Sequence, residues 1–386
     1  MQKRILLLSL VMVIAVVGGI LAEKWSQSKQ NHKVIVEQAP KSKLKVENLP
    51  MPEIEKTNSK VLIGYVQDFR DPNTIDYAKF TQIIFSFAHP LKDGGVLLNG
   101  DMALKNLRAM VSQAKKYHTK VILGVGGWFH IKGGESYPYF KAAISNPTSR
   151  AKLVSALTSL VDREHLDGID IDFEHPHSAA DANNLSAFIK ALGGQLHSQN
   201  KELSVAVYSK INAATLTVTG FVVYDPKMFQ YVDHVNIMAY DGQWDGGYHA
   251  ANLSTYTFAE KIVNYWSGYF DHLHLSKGKL VLGVPLYGQP ENPKIKQVSF
   301  SAILHNNPNN ALKDSVIMNG TTYYYNSDTT MINKTRLTLD HGFGGMMLWE
   351  AGLDAKGPTS VTATIFSALQ KFAKEPVKYY AVKSND

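Results

Sequence analysis

Eight consecutive residues, Asp167-Gly168-Ile169-Asp170-Ile171-Asp172-Phe173-Glu174, hold the densest chemistry of the chain. In an extended strand, side chains two apart share a face. Asp170, Asp172 and Glu174 then line one side, spaced roughly 6.5 Å apart along the strand, and Ile169, Ile171 and Phe173 line the other. A row of carboxylates is costly as packing, and no Lys or Arg stands within the segment to neutralise it. Closely spaced, partly buried carboxyls raise one another's proton affinity. Such a row makes sense as a site, and its members titrate as a coupled set.

A row of this kind needs a frame that holds it at a strand end. From Ser59 onward, short β-type apolar runs alternate with longer amphipathic segments, the pattern of a parallel α/β architecture. The strand candidates are Val61–Val66, Gln82–Ala88, Val121–Val125, Gly168–Phe173, Leu203–Tyr208, His234–Tyr240, Leu280–Leu286 and Gly345–Trp349. Helical stretches between and after them include Ala103–Tyr117, Ser149–Glu164, Ala182–Ser198, Thr257–Phe270 and Thr359–Lys374. Eight strand-plus-crossover units predict a (β/α)₈ TIM barrel over residues 59–375. A doubly wound open sheet is the runner-up, and it is disfavoured because no G-x-G-x-x-G follows the first strand. The link between strands seven and eight, about 290–343, is longer than one crossover requires. Its Asn- and Pro-rich stretch at 306–310 and polar, Tyr-rich piece at 321–328 predict a small insertion over the barrel mouth.

Barrel active sites lie at the C-terminal strand ends. There the sequence places Gly126-Gly127-Trp128, Asp172-Phe173-Glu174, Met238-Ala239-Tyr240-Asp241 with Trp244 beyond, Leu286-Tyr287-Gly288, and Leu348-Trp349-Glu350. Three of the five tryptophans therefore fall on one rim together with acids and tyrosines. Flat apolar faces beside carboxylates and hydroxyls suit a sugar ring, whose C–H faces stack on aromatics and whose hydroxyls take hydrogen bonds. A single aromatic there would more simply cap the core; the set with its acids reads as a site. His175 and His177 form an H-x-H beside Glu174 that could suggest zinc, but a solvent-side loop is the favoured reading. No metal and no cofactor is expected.

Composition sets the remaining bounds. The 386 residues contain no cysteine, which excludes disulfides, zinc-thiolate sites and thiol nucleophiles. Of the formal net charge of +7, residues 1–60 hold ten Lys/Arg against five Glu, leaving 30 basic and 28 acidic groups elsewhere, so the folded part offers little to nucleic acid. Lys3-Arg4 precede an apolar run over residues 5–22, which reads as an export signal or a membrane anchor, both left open by its length. Residues 23–58 read as a polar linker and 376–386 as a tail. A monomer is expected.

With these residues in place, the chain resembles glycoside hydrolase family 18, the chitinase family. Asp167-x-x-Asp170-x-Asp172-x-Glu174 is similar to the family's D-x-x-D-x-D-x-E strand-four motif, Met238-x-Tyr240-Asp241 to its strand-six motif, and Trp349 to the strand-eight tryptophan that floors the sugar site. Tyr65, Phe87 and Gly126-Gly127 match softer positions. Gly124 stands where the family usually has Ser, and Phe173 where Trp is common. The resemblance implies cleavage of β-1,4-linked N-acetylglucosamine polymers with retention, the substrate's acetamido group acting as nucleophile. It implies Glu174 as acid and base, Asp172 as the group that orients the acetamido N–H, Asp170 as its partner sharing a proton, and Tyr240 as donor to the acetamido oxygen. Tyr65, Phe87, Gly127, Trp128, Met238, Asp241, Trp244, Tyr287 and Trp349 are then expected to bind substrate. A peptidoglycan or N-glycan hydrolase and a non-catalytic chitin-binding lectin are the alternatives.

Overall fold

Buried on both faces, the strands of a parallel barrel need apolar residues in unbroken runs, and the eight expected runs all form strands. The computed structural model describes residues 60–374; the expected signal or anchor, the linker and the tail lie outside them. In chain order the strands are β1 (Val61–Gln67), β2 (Gln82–Pro90), the short β3 (Val96–Leu97), β4 (Lys120–Gly126), β5 (Gly168–Asp172), β6 (Glu202–Tyr208), β7 (His234–Met238), β8 (Leu280–Pro285), β9 (Tyr287–Pro290), β10 (Val298–Ser299), β11 (Ser315–Met318), β12 (Thr321–Tyr324) and β13 (Gly345–Trp349). Parallel neighbours run β1-β13-β8-β7-β6-β5-β4-β2, and β1 also pairs with β2, which closes an eight-stranded barrel. β3 hangs antiparallel on β2.

The helices are α1 (Gly100–Lys115), α2 (Tyr137–Ser145), α3 (Pro147–Arg163), α4 (Ala179–His197), α5 (Tyr256–His272), α6 (Phe300–Asn306), α7 (Asp328–Asp340) and α8 (Val361–Phe372). Two crossovers, β1 to β2 and β6 to β7, contain only short 3₁₀ turns among the described residues. Helix starts are set by side-chain caps rather than by the first apolar residue. Ser178 accepts from the Asp181 amide and begins α4 three residues before the expected Ala182, and Asn146 with Pro147 at the first turn does the same for α3.

The expected insertion is present with different bounds. β9, β10, β12 and β11 form a separate four-stranded antiparallel sheet, with α6 beside it. Residues 328–340, counted with the insertion from sequence, instead form α7, which packs on α8 and α5 in the helix layer. The large core lies between barrel and helices and takes in Ile169, Ile171 and Phe173 together with Leu185, Phe188 and Ile189 of α4. A smaller core, with Ile63, Tyr65, Ile84, Ile122, Val281 and Met347, fills the barrel interior.

Candidate active site

β5 ends at Asp172, one residue earlier than expected, so Glu174 sits just past the strand. Asp170 and Asp172 are buried within the barrel, while Glu174 keeps 16% of its side chain exposed at the mouth. The strand pairing explains the depth. Gly124 of β4 and Ser204 of β6 lie in register with Asp170, and Gly126 lies in register with Asp172.

Asp170 accepts three hydrogen bonds. Tyr65 Oη donates to Oδ2 at 2.7 Å, and Ser204 Oγ and Asn236 Nδ2 donate to Oδ1 at 2.6 and 3.0 Å. The expected pairing of Asp170 with Asp172 is thus one of charge proximity, while the hydrogen bonds of Asp170 go to neutral donors. Asp172 Oδ1 is buried and has no hydrogen-bond partner in the protein. Ser204 and Asn236 escaped the sequence reading, although a signal existed: each is a polar residue inside an otherwise apolar strand. Where the family usually has Ser, a side chain at Gly124 would meet Phe87 Cδ1 at 2.9 Å, so the ring fills that space.

Burial dominates the electrostatics. It pushes Glu174 up to about 8, with the nearby Asp241 charge adding to it. Burial, then the charges of Glu174 and Asp170, hold Asp172 well above the usual carboxylate range. Asp170 is also raised by burial, opposed by its bonds from Ser204, Tyr65 and Asn236. Tyr240 is raised by burial and by Asp172, so its phenol keeps its proton as a donor.

Tyr240 and Asp241 lie beyond β7, which stops at Met238 rather than at the expected Tyr240. Asp241 adopts φ 62°, a left-handed conformation that Asp tolerates. Its Oδ1 accepts from Tyr287 Oη at 2.5 Å and from Gln243 Nε2 at 3.1 Å. It is open to solvent along the cleft yet surrounded elsewhere by protein, and burial raises its pKa.

Trp349 forms the floor with Tyr65 edge-on at 5.5 Å and Phe87 stacked at 5.9 Å. Gly127 has φ 77°, and a Cβ there would meet Phe87 at 2.7 Å, so only glycine lets the β4 end approach this ring. Gly126, at φ 115°, similarly lies against the Asp172 carbonyl. Met238 is half-buried at the end of β7. Trp128 and Trp244 stand at the rim, 46% and 60% exposed. Phe69 and Phe221, also exposed beyond β1 and β6, were not anticipated. His175 corrects another expectation: only His177 is on a solvent-facing loop, while His175 is buried with Nε2 3.5 Å from Glu174 Oε2. Among the described residues, no group of three or more His, Cys, Asp or Glu side chains could hold a metal ion.

A family model described as Glycosyl hydrolases family 18 matches residues 61–354. Endochitinase 1 of Metarhizium robertsii is 26% identical over 286 residues, which cover 64% of this chain and 64% of that protein. The chain therefore spans somewhat less than two thirds of the length of this relative. A family 18 chitinase from the chitin utilization locus of Flavobacterium johnsoniae has the same fold, with TM-score 0.67 and 24% identity over 82% of this chain and 95% of that one. A chitinase-like agglutinin from Robinia pseudoacacia has it too, with TM-score 0.66 and 17% identity over 79% of this chain and 98% of the other.

Proposed function

The chain belongs to glycosyl hydrolases family 18, and from that premise we propose that it is a chitinase that hydrolyses β-1,4 linkages between N-acetylglucosamine units with retention. The observation that carries this reading is the pair at the mouth of β5. Glu174 is a carboxyl at the cleft mouth that burial and the Asp241 charge push up to about 8, and beside it stands the buried Asp172, whose Oδ1 has no protein donor. The first can give a proton; the second can receive an N–H.

In this mechanism Glu174 protonates the glycosidic oxygen as the bond to C1 breaks. The substrate's 2-acetamido carbonyl oxygen attacks C1 and forms a cyclic oxazolinium ion, so no enzyme nucleophile is needed. Asp172 accepts a hydrogen bond from the acetamido N–H and stabilises the positive charge that develops there. Tyr240 donates to the acetamido oxygen and holds it in line with C1. Asp170, fixed by three donors, supplies a charge behind Asp172. Glu174, now ionised, takes a proton from water, which attacks C1 and restores the β configuration. Asp241 binds the distorted sugar, with Tyr287 holding the carboxylate. Trp349, with Tyr65 and Phe87 around it, floors the sugar site, Gly127 lets Phe87 close in, Met238 lines the β7 end, and Trp128 and Trp244 extend the cleft as exposed stacking faces.

The basic, then apolar N-terminus supports export, with residues 5–22 as a signal or anchor. A chain held at the envelope would meet peptidoglycan, which carries the same acetamido group and is the second substrate reading. The agglutinin of the same fold makes a lectin the third, but the acid Glu174 is in place here. Glu174→Gln should abolish hydrolysis of a chromogenic chitobioside while chitooligosaccharide binding is retained. Undiminished turnover in that variant would refute the mechanism, and binding without turnover in the parent would favour the lectin.

A further inference from the structure

We propose that His175 is a positioning residue for Glu174, donating its Nε2–H to the Glu174 carboxylate after that group has given up its proton. The inference rests on Glu174 being the acid and base of the reaction. His175 is 6% exposed, and its Nε2 lies 3.5 Å from Glu174 Oε2. This is long for a hydrogen bond, as catalytic contacts commonly are before substrate closes the site. The ring is fixed from three other elements: Tyr208 of β6 meets it edge-on at 5.3 Å, Phe221 of the β6–β7 link edge-on at 6.2 Å, and Trp128 after β4 at 6.2 Å. It therefore has little freedom to turn away from Glu174.

The proton's place on the ring follows from the surroundings. Burial and the neighbouring His177 lower the His175 pKa to about 4, so the imidazole is neutral at working pH and carries one N–H. Nδ1 is buried without a hydrogen-bond partner. Were the proton there, a buried donor would be orphaned. With the proton on Nε2, Nδ1 is only an unused acceptor, the less costly of the two, and the N–H faces the carboxylate. The other ionisable groups around the pair do not take over this task. The Asp241 charge raises the proton affinity of Glu174, and the Glu174 charge in turn raises that of Asp172. Tyr208 and Tyr224 are held as neutral phenols by burial, with Asp245 acting on Tyr208. His177 lies on the exposed side.

A neutral donor bonded to the ionised carboxylate favours that ionised form, so His175 keeps the Glu174 pKa lower than the pocket alone would set it. It also holds Oε2 and leaves Oε1 to the glycosidic oxygen and to water. His175→Phe keeps an aromatic ring in the cage and removes the donor. The alkaline limb of the kcat/KM profile on a chromogenic chitobioside should then move up by about one pH unit, a tenfold change in proton affinity. kcat at the optimum should fall about tenfold through lost orientation. His175→Gln, which keeps a neutral N–H donor, should restore the limb and most of kcat. Thermal melting and chitooligosaccharide binding check that both variants are folded. An unmoved alkaline limb in His175→Phe, or an equal shift in both variants, would overturn the proposal. Should His175→Phe not fold, ¹⁵N NMR of the parent decides: the His175 resonances should report the Nε2–H tautomer without titration above pH 5, and an Nδ1–H tautomer or ordinary titration would overturn it. Glu174→Gln is run alongside. If that variant is inactive while His175→Phe matches the parent, only the role of His175 fails; if Glu174→Gln still turns over, the acid itself is misassigned.

Discussion

Lys334 of α7 is completely buried, and replacing it with methionine gives a stability test whose sign and size can be worked out in advance. Its Nζ donates to the Ser254 carbonyl at 2.5 Å, to Ser254 Oγ at 2.8 Å and to Asn326 Oδ1 at 2.8 Å. Ser254 Oγ in turn donates to the Ala239 carbonyl at 2.6 Å, one residue before Tyr240. The lysine thus ties the insertion-side chain at Asn326 to the loop behind Tyr240. Burial lowers its pKa from 10.5 to about 7, with the Asp314 charge acting the other way. A lysine whose folded pKa is depressed binds its proton more weakly in the folded state than in the unfolded one. Its destabilising effect is therefore fully present below pH 7 and is relieved as pH rises from 7 towards 10.5. Each pH unit in that window is worth about 1.4 kcal/mol, so the parent should gain about 2–3 kcal/mol from this group between pH 7 and pH 9. Lys334→Met lacks that gain, and all other titrations cancel in the difference between the two proteins. The stability of the parent relative to Lys334→Met, from urea unfolding, should therefore rise by about 2–3 kcal/mol over those two units. At pH 9 the variant should be the less stable, because the neutral amine's two N–H groups no longer serve the acceptors Ser254 O, Ser254 Oγ and Asn326 Oδ1. Parallel pH profiles, agreeing within about half a kcal/mol, would mean that the ammonium is not desolvated in the folded state and the reasoning is wrong.

Ser204→Ala removes the 2.6 Å bond to Asp170 Oδ1. It should cost about 2 kcal/mol at pH 7.5, where a hydrogen bond to a buried carboxylate is lost, and less at pH 4, where Asp170 is more protonated in the folded state; urea unfolding at both pH values reads this. Gly127→Ala forces a Cβ to within 2.7 Å of Phe87 at φ 77°. Chitobioside turnover should fall at least tenfold while the melting temperature drops by only a few degrees, and full activity would show that the Phe87–Trp349 stack does not shape the sugar site.

The barrel was legible because its strands are written as apolar runs, and the acid row was legible because acids in such a run have no other explanation. What sequence left out is contact between distant strands. Ser204 and Asn236 each look like a tolerated polar residue; only closure of β5, β6 and β7 around one point brings both onto Asp170. His175 was read as solvent-facing because H-x-H after a strand has the form of a loop, and its burial depends on Phe221 from a link whose course has no periodic signal. Residues 328–340 were placed in the insertion because polar neighbours masked the helix, whose buried positions include Lys334 and two threonines.

Asp170 and Asp172 are the same residue type, two positions apart on one strand face, and what separates their roles is the supply of donors. Asp170 is the more deeply placed, yet three donors from three strands meet its two oxygens, and each favours the ionised form. Asp172 sits between Asp170 and Glu174, feels both charges, and has an oxygen with no donor at all. A proton left in the row is therefore driven away from Asp170 and towards the pair at the mouth. In the proposed mechanism, once Glu174 has lost its proton, Asp172 would face two negative neighbours, and a positively charged acetamido nitrogen beside it would relieve that repulsion. On the proposed mechanism, the unfilled acceptor at Asp172 would be most favourable when the substrate has become cationic, which is the condition for stabilising the intermediate more than the bound substrate.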